Sequence, residues 1–150
     1  MTVLSGMDRF RIALAQLNPV VGDITGNLAR ARAARAQAAD ADLILFSELF
    51  ITAYPPEDLV LKPALQEDAR EAVEALARDT VSGPAILIGA PWVEEGRLYN
   101  AMLLLEGGAI AAITRKVDLP NYGVFDEKRV FAPGPPPAPI TVRGVKLGVP

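Results

Sequence analysis

The 150-residue chain contains no cysteine and no histidine. Without cysteine there is no disulfide framework and no thiolate metal site. Without histidine, a Ser-His-Asp triad and a His-based metal site are both excluded within these residues. Charge of one sign is lacking too. Fifteen lysines and arginines against 18 acids leave a net charge of -3, with no polybasic block, so nothing argues for a nucleic-acid partner. No apolar run approaches the roughly 18 residues of a membrane span. The opening Met1-Thr2-Val3-Leu4-Ser5-Gly6-Met7 lacks the basic start and long apolar stretch of a signal peptide. A soluble, cytoplasmic protein without membrane partner or metal site is the expectation. Residues 1–8 are read as a leader, with Met7 as an alternative start, and residues 9–150 as one domain's worth of chain.

What is present is apolar. Hydrophobic residues make up 51% of the chain, enough for a sizeable core. Residues 9–16 alternate into an apolar run and predict a first strand. Leu17 to Asp23 is turn chemistry, with Pro19 and Gly22 as breakers. A helix rich in alanine and arginine follows to about residue 39, with Asp23, Thr25 or Asn27 as its cap. Residues 43–46 read as a strand buried on both faces. Pro55-Pro56-Glu57-Asp58-Leu59 begins a helical turn. Over residues 64–80, Leu65, Ala69, Ala72, Val73 and Leu76 form one apolar helix face. Residues 85–90 are another apolar strand, and 91–96 a loop. Strands over 98–105 and 109–114 flank the hairpin signal Glu106-Gly107-Gly108. Residues 117–139 are irregular and too long for a simple connection, a length at which loops are often functional. A last strand pair, 140–142 and 145–149, turns around Arg143-Gly144. This order is α/β with a mixed sheet.

Three places can carry chemistry. Glu48 lies just past the carboxyl end of strand 43–46, the edge at which open α/β sheets bind ligands. A carboxylate shielded there can act as general base; it is also readable as a turn or cap residue. Lys116 ends the strand over 109–114 and can project at the same edge to steady an oxyanion, or it is one of two solvated cations beside Arg115. In the loop Leu119-Pro120-Asn121-Tyr122-Gly123-Val124-Phe125-Asp126-Glu127, aromatics alternate with charges. Such a loop lines a pocket, with Glu127 as a second carboxylate, or is a surface loop pinned by Tyr122, Phe125 and Phe131. No glycine-rich phosphate loop is present.

Taken together these segments resemble the nitrilase superfamily of carbon–nitrogen hydrolases. The chain opens with Ile12-Ala13-Leu14-Ala15-Gln16-Leu17-Asn18-Pro19, gives Phe46-Ser47-Glu48, ends a hairpin in Lys116, and carries the Leu119 to Glu127 loop, then Phe131 and Pro133-Gly134. Within the superfamily, Glu48-Leu49-Phe50 through Tyr54-Pro55-Pro56-Glu57-Asp58-Leu59 and the Leu119 to Glu127 segment are most similar to the glutaminase domain of glutamine-dependent NAD synthetases. The resemblance covers residues 9–150. It implies an α-β-β-α sandwich, of which this chain is the N-terminal part.

The resemblance also implies a Glu-Lys-Cys triad. Glu48 takes the place of the general base and Lys116 that of the transition-state lysine. Glu127 matches a glutamate supporting lysine and substrate, Tyr54 a tyrosine of the glutamine pocket, and Tyr122 and Phe125 would line that pocket. The departure is the missing cysteine. Leu147-Gly148-Val149-Pro150 matches the start of the strand that precedes the family's nucleophile, so the cysteine is expected within a few residues beyond Pro150. The 150-residue chain is therefore expected to be inactive by itself. No cofactor is implied for the amide hydrolysis. A synthetase domain, absent here, would take ATP, magnesium and deamido-NAD, and a homo-oligomer is implied for the intact protein. Another nitrilase-type amidase, acting on a small amide or carbamoyl group, and a non-enzymatic domain on the same fold are the alternatives.

Overall fold

The computed structural model describes residues 9–149; the leader expected over 1–8 lies outside them. Five strands form one mixed sheet in chain order. They are β1 (Ile12–Leu14), β2 (Leu43–Leu45), β3 (Ala85–Glu94), β4 (Arg97–Glu106) and β5 (Ala109–Arg115). β1, β2 and β3 pair in parallel, and β3, β4 and β5 antiparallel. The parallel crossovers are made by α1 (Ile24–Gln37) and α2 (Pro63–Arg78). A separate hairpin, β6 (Ile140–Val142) with β7 (Val145–Leu147), closes the described residues. No helix among them is long and apolar enough to cross a membrane.

Two cores lie on the two faces of the sheet. On one, α1 and α2 bury Ala31, Ala69, Val73 and Leu76 against Ile44, Phe46, Ile86, Ile88 and Leu103. The i, i+4, i+7 face of α2 is the one buried, as its spacing predicts. On the other, the β6–β7 hairpin lays Ile140 and Val142 over Leu43, Leu87 and Leu104. That cover does not reach the sheet's edge, where Ile12 and Leu14 of β1 remain exposed.

α1 starts at Asp23, whose carboxylate accepts from the Gly26 amide at 2.9 Å. Asn27, one of the expected caps, is instead fully buried. Its Nδ2 donates to the carbonyls of Val20 (2.8 Å) and Ile51 (3.0 Å), and its Oδ1 accepts from the Val20 amide at 2.9 Å. It ties helix, first loop and the turn after β2 together. Asn27→Ala leaves these three backbone groups without their partner and is expected to lower unfolding stability by about 2–4 kcal/mol, read from the denaturant midpoint. An unchanged midpoint would mean that water takes over.

The expected loop over 91–96 is corrected: β3 runs through Glu94, and Pro91 pairs with Asn100 of β4. Proline reads as a strand breaker because it has no amide to donate. Here β2 stops opposite Leu87, and the carbonyls of Leu87 and Gly89 point to the β2 side. Pro91 has the same parity, so its nitrogen faces away from β4 and no ladder bond is lost. The first strand is shorter than expected, the first helix ends at Gln37, and the last strand at Leu147. The irregular stretch contains a four-residue helix, α3 (Glu127–Val130).

The hairpin is anchored by charge. Arg143, in its turn, donates to Asp42 Oδ1 at 2.9 Å and to the Gly83 carbonyl at 2.7 Å, while Asp42 Oδ2 accepts from the Arg11 amide at 2.8 Å. The Arg11 amide first, then Arg143, hold Asp42 below the ordinary carboxylate range. A depressed carboxylate contributes stability above its unfolded value, roughly 3.9, and loses it as pH falls through the folded value. The stability gap between the parent and Asp42→Asn should therefore be open at neutral pH and close on acidification. Urea midpoints measured from pH 7 downward check this, and a gap independent of pH would contradict it.

Candidate active site

The site grows from the end of β2. The ladder continues one residue past the strand, with the Phe46 amide on the Leu87 carbonyl at 2.9 Å. The chain then turns sharply. Leu49 and Ala53 adopt left-handed backbone, φ 47° and 63°, which costs a non-glycine residue about 1–2 kcal/mol. Burial of Leu49, Phe50 and Ile51 offsets that cost: all three are fully buried, and Phe50 packs on Phe46 with ring centroids 4.9 Å apart. The Ile51 amide also reaches the Gly89 carbonyl at 3.2 Å. With Leu49, Phe50 and Ile51 turned into the core, Glu48 is left to point outward, its side chain 43% exposed.

Lys116 arrives from the far side of the sheet. It follows β5, and its amide bonds the Asn100 carbonyl at 2.8 Å. Its Nζ lies 2.8 Å from Glu48 Oε1 and 3.1 Å from Glu127 Oε1. Glu127 opens α3, with its amide on the Pro120 carbonyl at 3.1 Å. It is 5% exposed, and its Oε1 also accepts from the Tyr54 hydroxyl at 2.9 Å. Glu127 Oε2 is buried without a hydrogen-bond partner among the described residues. The structure thus brings Glu48, Lys116, Glu127 and Tyr54 into one hydrogen-bonded cluster. Burial pulls the Lys116 ammonium down, but Glu48 and Glu127 together outweigh it and hold its pKa above the ordinary lysine value. Burial, then the bond to Glu127, pushes the Tyr54 hydroxyl up, so it stays a neutral donor. In this cluster Lys116 is a fixed cation and Glu48 the exposed carboxylate.

Phe125 and Tyr122 stand apart from it. Their rings meet edge to face at 5.6 Å. Phe125 lines a cavity of about 220 Å³ with Tyr54 and Glu127; Tyr122 is 70% exposed and does not contribute to it. A second cavity of about 140 Å³ is lined by Glu48, Asn100, Thr114 and Lys116. A larger groove of about 710 Å³ lies between α1 and α2, lined by acids such as Asp68 and Glu71, and touches none of the clustered groups. Arg115 is not the solvated neighbour it could have been: it pairs with Glu94 and lies over the Tyr99 ring.

Asn100 went unnoticed in the sequence. It is buried in the middle of β4, and its Nδ2 donates to Glu48 Oε1 at 2.6 Å. The signal was there to read: a lone amide between Tyr99 and Ala101 in an otherwise apolar strand needs a partner.

The carbon–nitrogen hydrolase profile matches residues 11–149. The chain belongs to the carbon–nitrogen hydrolase family. Among curated relatives, the glutamine-dependent NAD(+) synthetase of Rhodobacter capsulatus is 49% identical over 145 residues, covering 95% of this chain and 26% of the relative. That of Thermotoga maritima is 42% identical over 146 residues, covering 95% and 25%. Among solved structures, the glutamine-dependent NAD+ synthetase of Acinetobacter baumannii superposes with a TM-score of 0.82 at 37% identity, over 91% of this chain and 26% of that one. An amidase from Nesterenkonia sp. AN1, whose active-site cysteine carries an acrylamide adduct, superposes at 0.77 with 30% identity, over 92% and 55%. The fold is that of the nitrilase type, with its mixed five-stranded sheet. The chain spans about a quarter of the length of the synthetases it matches.

Proposed function

We propose that this chain is the N-terminal part of a glutaminase domain that supplies ammonia for ATP-dependent NAD synthesis from deamido-NAD. The reading is carried by one observation: Lys116 Nζ is within hydrogen-bonding reach of Glu48 and Glu127 at once. A carboxylate base beside a fixed cation suits nucleophilic attack on an amide. The nucleophile is a cysteine supplied by chain outside these residues, and without it the 150-residue chain is inactive. Its thiol proton passes to Glu48 as sulfur bonds to the side-chain amide carbon of glutamine. Lys116 donates to the oxygen that becomes negative. The C–N bond then breaks, Glu48 returns the proton to the leaving nitrogen, and ammonia departs from a thioester. Glu48 next takes a proton from water, whose oxygen attacks the thioester carbon; the C–S bond breaks, glutamate leaves, and Glu48 returns the proton to sulfur to restore the thiol.

Glu127 holds Lys116, and Tyr54 holds Glu127. Tyr54 and Phe125 form part of the glutamine pocket, and Tyr122 lines its approach. The hydrolysis takes no cofactor; ATP, magnesium and deamido-NAD belong to the chain beyond this part. We place the protein in the cytoplasm, as a homo-oligomer. The superposition on an amidase favours a second reading, hydrolysis of a small amide or carbamoyl substrate on the same residues. An experiment separates them. The longer protein is supplied with ATP, deamido-NAD and either glutamine or ammonium. NAD from both sources, with glutamate from the first, is expected. Hydrolysis of small amides without any NAD would favour the second reading, and no hydrolysis at all a non-enzymatic domain.

A further inference from the structure

We infer that Asn100 is a positioning residue, which occupies one oxygen of Glu48 so that the other, Oε2, is the atom that receives the nucleophile's proton. The inference rests on the glutaminase reading above. Glu48 Oε1 accepts two hydrogen bonds, from Lys116 Nζ at 2.8 Å and from Asn100 Nδ2 at 2.6 Å. A carboxylate oxygen has two lone-pair sites, so Oε1 is full. Oε2 has no partner among the described residues and lies on a side chain that is 43% exposed. A Lys116 bond alone would leave Glu48 free to rotate and present either oxygen. The second donor, held in a β-strand, removes that freedom.

The choice of asparagine follows from charge. Glu48, Lys116 and Glu127 together carry one negative charge. A second cation at position 100 would neutralise it and weaken Glu48 as a base, whereas a neutral amide fixes the carboxylate without adding charge. The backbone of the same residue serves the other partner, since the Asn100 carbonyl accepts from the Lys116 amide at 2.8 Å. One buried residue of β4 thus sets the spacing between base and cation. No other described side chain bonds Glu48 besides Lys116.

Two substitutions test this in the longer protein. Asn100→Leu keeps the volume and suits an apolar strand; Asn100→Asp keeps the shape but replaces the donor by a negative charge. Losing a hydrogen bond to a charged group should move the acid limb of kcat/KM for glutamine upward by about one pH unit in Asn100→Leu, and further in Asn100→Asp. At neutral pH, kcat should fall by about tenfold with little change in KM. Ammonia-driven synthesis reports that the protein is folded. An unshifted acid limb in both folded variants overturns the inference. If neither variant folds, the side-chain amide proton of Asn100 in the parent protein decides: it should titrate with the acid limb of activity, and a flat resonance overturns the proposal. Glu48→Gln separates the two levels. If that variant keeps glutaminase activity, the glutaminase reading itself fails. If it is dead while the Asn100 variants keep the parental pH profile, only the role of Asn100 fails.

Discussion

Exchanging Lys116 for methionine is expected to cut glutamine-driven turnover by about a thousandfold while leaving ammonia-driven synthesis in place. Methionine keeps most of the stem and removes the charge. The expectation follows from what Nζ touches, two carboxylates at 2.8 and 3.1 Å, and from the oxyanion role proposed for it. Its raised pKa keeps it charged throughout the neutral range, which on the proposed mechanism leaves the base role to Glu48. Glu48→Gln should therefore lose about 100- to 10,000-fold by a different route, the lost proton transfer. The double variant should be little worse than the more damaging single one, because the two residues act on one step. Stability offers an internal check. Glu127 is 5% exposed and loses its only cation among the described residues in Lys116→Met, and breaking a buried ion pair costs about 3–5 kcal/mol. Combining Lys116→Met with Glu127→Gln should restore much of the stability and none of the glutaminase activity. Full turnover in Lys116→Met would sink the assignment. Loss of both the glutamine-driven and the ammonia-driven activity would mean a folding defect.

Part of this site was legible from the residues. The apolar run ending at Phe46 marks a buried strand, and an acid just past it lies at a sheet's functional edge. The spacing of Leu65, Ala69, Val73 and Leu76 marks the buried face of α2, and Glu106-Gly107-Gly108 marks the hairpin that delivers Lys116. These signals are local. The rest depends on partners far along the chain. Asn100 meets Glu48 across 52 residues, and Tyr54 meets Glu127 across 73. Neither spacing follows a helical or strand period, and only the resemblance to a family paired Tyr54 with a pocket at all. Pro91 misled for a related reason. Its tolerance within β3 depends on where β2 stops, which no window around residue 91 contains. Asn27 looked like a cap because caps are recognised by type and position. Its partners are the Val20 backbone and the Ile51 carbonyl, and the latter is set by the turn that follows β2.

That same turn explains the second large effect, Gly89→Ala, a single added methyl in the middle of β3. The need for glycine here is one of space: a Cβ would sit 2.2 Å from the Leu49 amide nitrogen, and 2.7 Å from both the Glu48 carbonyl carbon and the Ser47 oxygen. All three are backbone atoms, so no side chain can swing aside. Either β3 shifts, or the turn carrying Glu48 is pushed outward. β3 is held in register by β4 along its whole length, whereas the turn reaches β3 through one backbone bond, the Ile51 amide on the Gly89 carbonyl, and is otherwise held by Asn27 and the burial of Leu49, Phe50 and Ile51. The turn is the weaker partner, and Glu48 should move with it, away from Lys116 and Asn100. A displacement of about 1 Å at a reacting group can cost about 100-fold in rate, and overpacking about 1–3 kcal/mol in stability. Gly96→Ala supplies the comparison. It lies in the β3–β4 turn with open space around it but a φ of +74°, so it is strained without any neighbour to displace. It should lose some stability and keep glutamine-driven turnover. Gly89→Ala should lose turnover well beyond what its stability loss explains, with ammonia-driven synthesis retained. Equal effects of the two substitutions on turnover would show that Glu48 is not seated by the close approach of its turn to β3.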